Sequence, residues 1–351
     1  MACPEKNSQA TKTTSTAAVT LSNQPTLVFV PGAWHRPTCY DKITKLLQEQ
    51  HHLRCISITL PSTTGNPAAT FKDDIDAACE AIFNETTQGR NVVVIAHSYG
   101  GMVGNSAVKG FTQGPRDAVA NSCTDSDSQA PSKKGYVIGL VLIATGFTLT
   151  GLAFMDPFFG RPPPTWRVNK ETGYAEIVTP PREFFYHDLP ADEAEYRVSQ
   201  LTTQSLKALF EGGEYAYAGW MDVPVWYFGT VEDRGLPVVA QRMAVGMARE
   251  LGCSVEHREF QTSHSPFLSH PEEVVETMVE AVRAFTGKSV GNEATLTMSR
   301  RGNRTVMTQV RLWQPLTWYR YGLPLALGHA LGRCYLVFGW CRGLWRSRWF
   351  S

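Results

Sequence analysis

No Cys-x-x-Cys pair occurs in this chain. Its eight cysteines, Cys3, Cys39, Cys55, Cys79, Cys123, Cys253, Cys334 and Cys341, stand singly, without the short spacings that a zinc site uses. They read as reduced, structural thiols, and neither a metal nor an organic cofactor is implied. A surplus of one charge is lacking too. The 33 Lys and Arg face 32 Asp and Glu, which leaves no overall field to draw in nucleic acid. The first 24 residues have no continuous apolar core of the kind a secretory signal needs. Rich in Ser, Thr, Ala, Asn and Gln, they read as a flexible lead-in, and a cytoplasmic protein is expected. Nor is there a clean run of about 20 apolar residues, because the apolar stretch Leu323 to Cys341 is interrupted by His329 and Arg333. What remains is a chain of 351 residues, 43% hydrophobic, long enough to bury one large core.

From Thr26 onward short β-branched runs alternate with helical spacing, the pattern of a mostly parallel central sheet covered on both faces by helices. Strands are predicted at 26–30, 55–58, 92–95, 136–144, 223–230 and 254–260, and helices at about 41–50, 71–83, 236–251 and 271–285. Two stretches depart from the alternation inside this unit, which spans 25–286. Residues 111–135 have almost no large apolar side chains and read as a solvated surface insertion. Residues 145–222 carry several prolines, one helical segment at about 192–210, and a concentration of aromatics that includes Phe154, Trp166, Phe184 and Phe185. An inserted lid over a site is expected there, its aromatics either lining a substrate pocket or forming the lid's own core.

The tail, 287–351, is of another composition. From Lys288 on it holds ten basic residues against one acidic residue, Glu293, so residues 1–287 carry 23 basic and 31 acidic groups. Five of the nine tryptophans lie in it: Trp313, Trp318, Trp340, Trp345 and Trp349. It reads either as disordered chain or as a segment that meets a membrane or a partner. Because the predicted elements end near Phe285, a chain ending at Gly287 is expected to fold.

The chemistry is carried by four short runs. A hydroxyl cannot attack a carbonyl unaided at neutral pH. A serine nucleophile therefore needs an adjacent base, an acid that orients the base, and donors for the oxyanion. Ala96-His97-Ser98-Tyr99-Gly100 follows four apolar strand residues and precedes Gly101, which is the context of a strained strand-to-helix turn of the G-x-S-x-G type, with Ala in place of the first Gly. Ser98 is the candidate nucleophile. The base belongs after the last strand, where Ser263-His264-Ser265 supplies His264; His270, directly before Pro271, reads as a helix-start residue. The acid belongs after the preceding strand and falls to Asp233, with Glu232 or Asp222 as substitutes if Asp233 only caps the next helix. The oxyanion donors are the backbone N–H of Tyr99 and that of Ala33 in Val30-Pro31-Gly32-Ala33-Trp34-His35, unless that run is an ordinary Pro-Gly turn.

Together with Glu232-Asp233-Arg234-Gly235-Leu236-Pro237, these runs resemble the α/β-hydrolase superfamily in its branch of plant methylesterases and hydroxynitrile lyases. The chain is more similar still to fungal members, several of which accompany secondary-metabolite pathways. The likeness covers about residues 25–286; Pro31 departs from it, standing where the branch usually has His. It implies the α/β-hydrolase fold and hydrolysis of an ester, thioester or lactone of a small apolar or aromatic metabolite. Two other readings share the scaffold: a carbon–carbon lyase, and a non-catalytic small-molecule receptor. Against the first, hydroxynitrile lyases carry a lysine directly after the catalytic histidine, where this chain has Ser265. The dehalogenases and epoxide hydrolases of the superfamily need a carboxylate where Ser98 stands.

Overall fold

The strands that read as unbroken apolar runs lie at the middle of one sheet. A computed structural model describes residues 24–113, 134–287, 305–307 and 315–349. Its strands are β1 (Thr26–Val30), β2 (Cys55–Ser57), β3 (Val92–His97), β4 (Val137–Ile143), β5 (Trp166–Asn169), β6 (Tyr174–Ile177), β7 (Val225–Thr230), β8 (Val255–Phe260) and β9 (Thr305–Met307). The main sheet runs in the order β2-β1-β3-β4-β7-β8-β9, parallel throughout except for the last, antiparallel pair. Every residue of β1 and β3 is buried, as a strand covered on both faces requires. The edge strand β2 is only half-buried. This is the mostly parallel, helix-covered sheet of the α/β-hydrolase fold that the alternation predicts.

The covering helices are α1 (Asp41–His51), α2 (Phe71–Thr86), α3 (Tyr99–Ala107), α4 (Val238–Glu250) and α5 (Pro271–Phe285). α1, α2 and α5 bury an apolar stripe at helical spacing, for example Phe71, Ile75, Ala78 and Ile82 in α2, which starts at a capping box formed by Thr70 and Asp73, whereas α3 is buried on all sides. Two starts differ from expectation. β7 begins at Val225 rather than Val223, and α4 begins at Val238 because Asp233 to Pro237 form a loop with work of its own, described below.

The insertion between β4 and β7 differs more. The helical segment expected over 192–210 is two helices, Ala191–Ser199 and Leu206–Phe210. Between them the backbone pairs with loops distant in sequence: Thr202 N–H donates to Trp34 C=O and Ser205 N–H to Ser62 C=O, which takes both out of helical bonding. The antiparallel hairpin β5–β6 lies ahead of them and carries no sequence expectation. The surface insertion expected at 111–135 falls largely outside the described residues, as does the lead-in 1–24.

Within the tail, the described residues include two further elements. β9 extends the sheet beside β8, and a long helix, α6 (Leu323–Trp349), lies along α4. The approach is close because glycines face each other: a side chain at Gly246 or Gly328 would overlap the opposite backbone, and one at Gly332 would stand 2.9 Å from Glu250 Cβ. Glu250 accepts from His329 Nδ1 and from Arg333 Nε, both at 2.7 Å. Arg242, paired with buried Glu259 through two hydrogen bonds of 2.7 Å, lies 4.1 Å from the Tyr321 ring centre and donates to Arg320 C=O. Among the described residues no helix is long and apolar enough to cross a membrane.

Because the core elements are complete by Phe285, a chain ending at Gly287 should still fold, but with the α4 face uncovered its thermal midpoint should drop by a few degrees, about 2–4 °C for each kcal/mol lost. Gly328→Leu in the full chain should reproduce that drop. Differential scanning fluorimetry reads both, and unchanged midpoints would show that α6 adds nothing to stability.

Candidate active site

Ser98 sits at a sharp turn between strand and helix. It joins β3 to α3 with φ 53° and ψ −126°, a conformation that costs a non-glycine residue roughly 1–3 kcal/mol. Its neighbours hold it there. Ser98 N–H donates to Ile143 C=O at 3.0 Å, and Ser98 C=O accepts from Gly101 N–H at 2.9 Å and Thr145 Oγ1 at 2.6 Å. Glycines are needed because nothing else fits: a side chain at Gly100 would overlap the Pro31 carbonyl, and one at Gly101 would overlap Thr145. The departure at Ala96 also has an explanation. A Cβ built on Gly104 would lie 2.9 Å from Ala96 Cβ, so the missing side chain on α3 makes room for the extra methyl on β3. The result is a partly exposed Ser98 between a fully buried His97 and a fully buried Tyr99.

The structure brings Asp233 and His264 together. His264 Nδ1 lies 2.8 Å from Asp233 Oδ2, with both side chains almost wholly buried. Since a carboxylate only accepts here, Nδ1 carries the hydrogen, and Nε2 is left with its lone pair. The capping role weighed for Asp233 is also real, and the two oxygens divide the labour. Oδ1 accepts from the N–H groups of Gly235 at 2.7 Å and Leu236 at 2.8 Å, while Oδ2 takes Thr230 Oγ1 at 2.8 Å as well as the imidazole. The substitutes lie elsewhere: Glu232 is exposed and accepts from Gln261, and exposed Asp222 accepts from Tyr217. His270 precedes α5 and pairs with Ser269. Among the described residues no hydrogen bond joins Ser98 Oγ to His264.

The two backbone donors expected for an oxyanion are placed at the same turn. Tyr99 is the first residue of α3, so its N–H has no helical acceptor. Ala33 lies in the loop after β1, with Gly32 so close that an added Cβ would stand 3.1 Å from Ser98 Cβ. Neither N–H has an acceptor among the described residues. Each residue is anchored from its other side. Ala33 C=O accepts from His35 Nδ1 at 2.7 Å, and Tyr99 OH donates to Asp74 Oδ2 at 2.7 Å.

Several residues that complete the site escape sequence reasoning. Gln241 of α4 donates to Asp233 Oδ2 at 3.2 Å and to Leu236 C=O at 2.7 Å, and accepts from Thr230 N–H at 3.0 Å. Its one signal is a polar side chain on the buried stripe of α4, ahead of Val245 and Ala248. His97 Nε2 donates to His264 C=O at 2.9 Å and so positions the backbone of the base. Tyr186 from the insertion donates to His35 Nε2 at 2.8 Å. Around them stand aromatic side chains of the same insertion: the Phe184 and Phe185 rings lie 6.5 and 5.7 Å from the His264 ring, and Phe154 lies 5.5 Å from Tyr99. A cavity of about 450 Å³ under the β5–β6 hairpin is lined by Trp34, Tyr174 and Thr202 among others, but not by Ser98, Asp233 or His264. The site is located by its pairings, not by that hollow.

Burial keeps the structural histidines neutral: His35 is lowered to about 4, His257 to about 3, and His97 well below its ordinary value. In the unfolded chain each takes a proton near pH 6.5, so the unfolded state binds more protons below that pH and stability is lost as pH falls from 6.5 toward 4. Asp74, raised by burial to about 6, and Glu259, also raised by burial, oppose this within the same window. Replacing one imidazole isolates its share. In urea titrations, His35→Gln should flatten the pH slope of stability by up to about 1.4 kcal/mol per pH unit between pH 6.5 and 4; an identical slope would show that His35 is not neutral when folded.

Residues 27–277 match the model of the alpha/beta hydrolase family. An Aspergillus novofumigatus protein named alpha/beta hydrolase nvfD is 24% identical over 255 residues, covering 72% of this chain and 94% of that protein. A Phoma species protein named "Probable hydrolase R7" is 26% identical over 275 residues, covering 73% and 98%. Among solved structures, a pyrethroid hydrolase from Sphingobium faniae superposes with a TM-score of 0.52 at 19% identity, over 74% of this chain and 98% of that one. Tomato methylketone synthase I, complexed with 2-tridecanone, does so with a TM-score of 0.56 at 14% identity, over 75% and 99%. At such identities the structures speak for the fold alone, and the family match over most of the chain decides the rest: this protein belongs to the alpha/beta hydrolase family.

Proposed function

We propose that the chain is a serine hydrolase that cleaves an ester, thioester or lactone of a small apolar or aromatic metabolite. The observation that carries this is the buried Asp233–His264 hydrogen bond of 2.8 Å, set beside the one partly exposed residue of a strained turn, Ser98. In this reading Ser98 Oγ attacks the acyl carbonyl and its proton passes to His264 Nε2. Asp233 Oδ2 stabilises the imidazolium, and the N–H groups of Ala33 and Tyr99 receive the oxyanion. Collapse of the tetrahedral intermediate expels the alcohol, thiol or ring oxygen, which takes the proton back from His264. A water deprotonated by His264 then attacks the acyl-serine, and the acid leaves with Ser98 restored. Acyl-transfer sites commonly close the serine–histidine contact only when substrate is bound, so its openness here is compatible with the role.

The apolar substrate class is supported by Phe154, Phe184 and Phe185 around the reacting groups, which makes the insertion a lid over the site. Hydroxynitrile-lyase chemistry lacks its charge here, since the position after His264 is a buried serine with nothing to hold an anionic leaving group; other carbon–carbon lyases stay open as the alternative on this scaffold, which tomato methylketone synthase I shares. The receptor reading would not need five donors gathered on the Asp233 carboxylate.

Ser98→Ala should lose reactivity toward a fluorophosphonate probe and lower kcat on p-nitrophenyl acetate by roughly 10⁴-fold or more. Label retained on that variant would overturn the mechanism. Asp233→Asn should keep the fold by circular dichroism while kcat falls by about 10⁴-fold, because the amide holds the wrong imidazole tautomer; Glu232→Gln should change kcat less than about twofold. Equal losses for the two would remove Asp233 from its role.

A further inference from the structure

Helix α6 has two unlike faces. One is made of small residues and lies on α4 through Gly328 and Gly332. The other presents Leu323, Leu327, Leu331, Tyr335 and Phe338, spaced by four, four, four and three residues and therefore in one stripe, all exposed, and near its C-terminal end Leu336 and Val337 are exposed outside the stripe as well. From end to end the stripe is about 22 Å long at the helical rise of 1.5 Å per residue. Large apolar side chains lined up in water cost solubility unless something covers them.

The composition of the tail argues for one cover. No acidic residue lies between Ala294 and Ser351, whereas nine arginines do, and after Phe338 the sequence sets Arg342, Arg346 and Arg348 among Trp340, Trp345 and Trp349. Arginine is drawn to anionic headgroups, tryptophan prefers the level of those headgroups, and an apolar stripe on the same helix fits the acyl boundary. A second α6 laid against the stripe would bring two sets of arginines together, which is unfavourable for a symmetric contact. The helix is held to α4 through His329, Arg333 and Glu250, and it is not long and apolar enough to span a bilayer, so it would lie in the plane of the surface. We propose that α6, still docked on α4, seats this protein on an anionic lipid surface through Leu323, Leu327, Leu331, Tyr335 and Phe338. This stands on the tail's own chemistry, whether or not Ser98 is a nucleophile.

The test is flotation of the full chain with phosphatidylcholine vesicles, either pure or containing about one third phosphatidylserine. The protein should float with the anionic vesicles at about 0.1 M salt, at least tenfold less with pure phosphatidylcholine, and weakly at about 1 M salt. Leu327→Asp/Leu331→Asp should lower the bound fraction by roughly a hundredfold while leaving the thermal midpoint and esterase rate unchanged, since both side chains point into solvent. No binding to anionic vesicles at low salt, or binding that the double variant leaves intact, overturns the proposal. So does a size-exclusion dimer of the wild type that the double variant converts to monomer without any vesicle binding, which would assign the stripe to a second copy.

Discussion

The turn at Ser98 exists because α3 approaches β1 and β3 more closely than side chains permit. Gly100 lies against the Pro31 carbonyl, Gly101 against Thr145 and Gly104 against Ala96. With the helix drawn in this far, the chain must reverse within one residue, and Ser98 takes the left-handed conformation that results. The strain is held by a hydrogen bond from Ser98 N–H to the Ile143 carbonyl at the end of β4 and by one from Thr145 Oγ1, just past it, to the Ser98 carbonyl, so the sheet itself fixes the angle of the turn. The same approach brings the start of α3 against the loop after β1, where Gly100 meets the Pro31 carbonyl.

A second constraint runs through α4. Gln241 and Arg242 are consecutive, buried and committed to different tasks. Gln241 braces the loop that carries Asp233, whereas Arg242 pairs with Glu259 on β8 and reaches the backbone of the tail. The helix thus ties the carboxylate that orients His264 to the segment that covers the domain's far side. Its polar residues are tolerated inside because each is satisfied, in the case of Arg242 by a bidentate carboxylate.

The aromatic insertion packs its own core against the loop of His264. Phe184, Phe185 and Tyr186 are buried, and two of them lie against His264, whereas Phe159 is almost fully exposed. The insertion is tied to the loops after β1 and β8 by specific bonds, Tyr186 to His35 and Asp188 to the Ser263 N–H at 2.8 Å.

The amino-acid order by itself determined what depends on near neighbours. β1, β3 and α5 follow from runs and spacings of apolar residues, and the order Ser98, Asp233, His264 follows from which strand each residue ends. The place of Ala96 could be read as a small departure, but not its remedy, since Gly104 meets it only across a strand–helix contact. Only the tertiary structure decided the break between Ser199 and Leu206, the bracing by Gln241, the hold of His97 on the His264 carbonyl, and the docking of α6. Each depends on a hydrogen bond or close approach between residues far apart in the chain: Thr202 to Trp34, Gln241 to Asp233, His97 to His264, Gly328 to Gly246. Periodicity records which face of an element is apolar; it carries no information about which distant partner that face, or a single polar group on it, will meet.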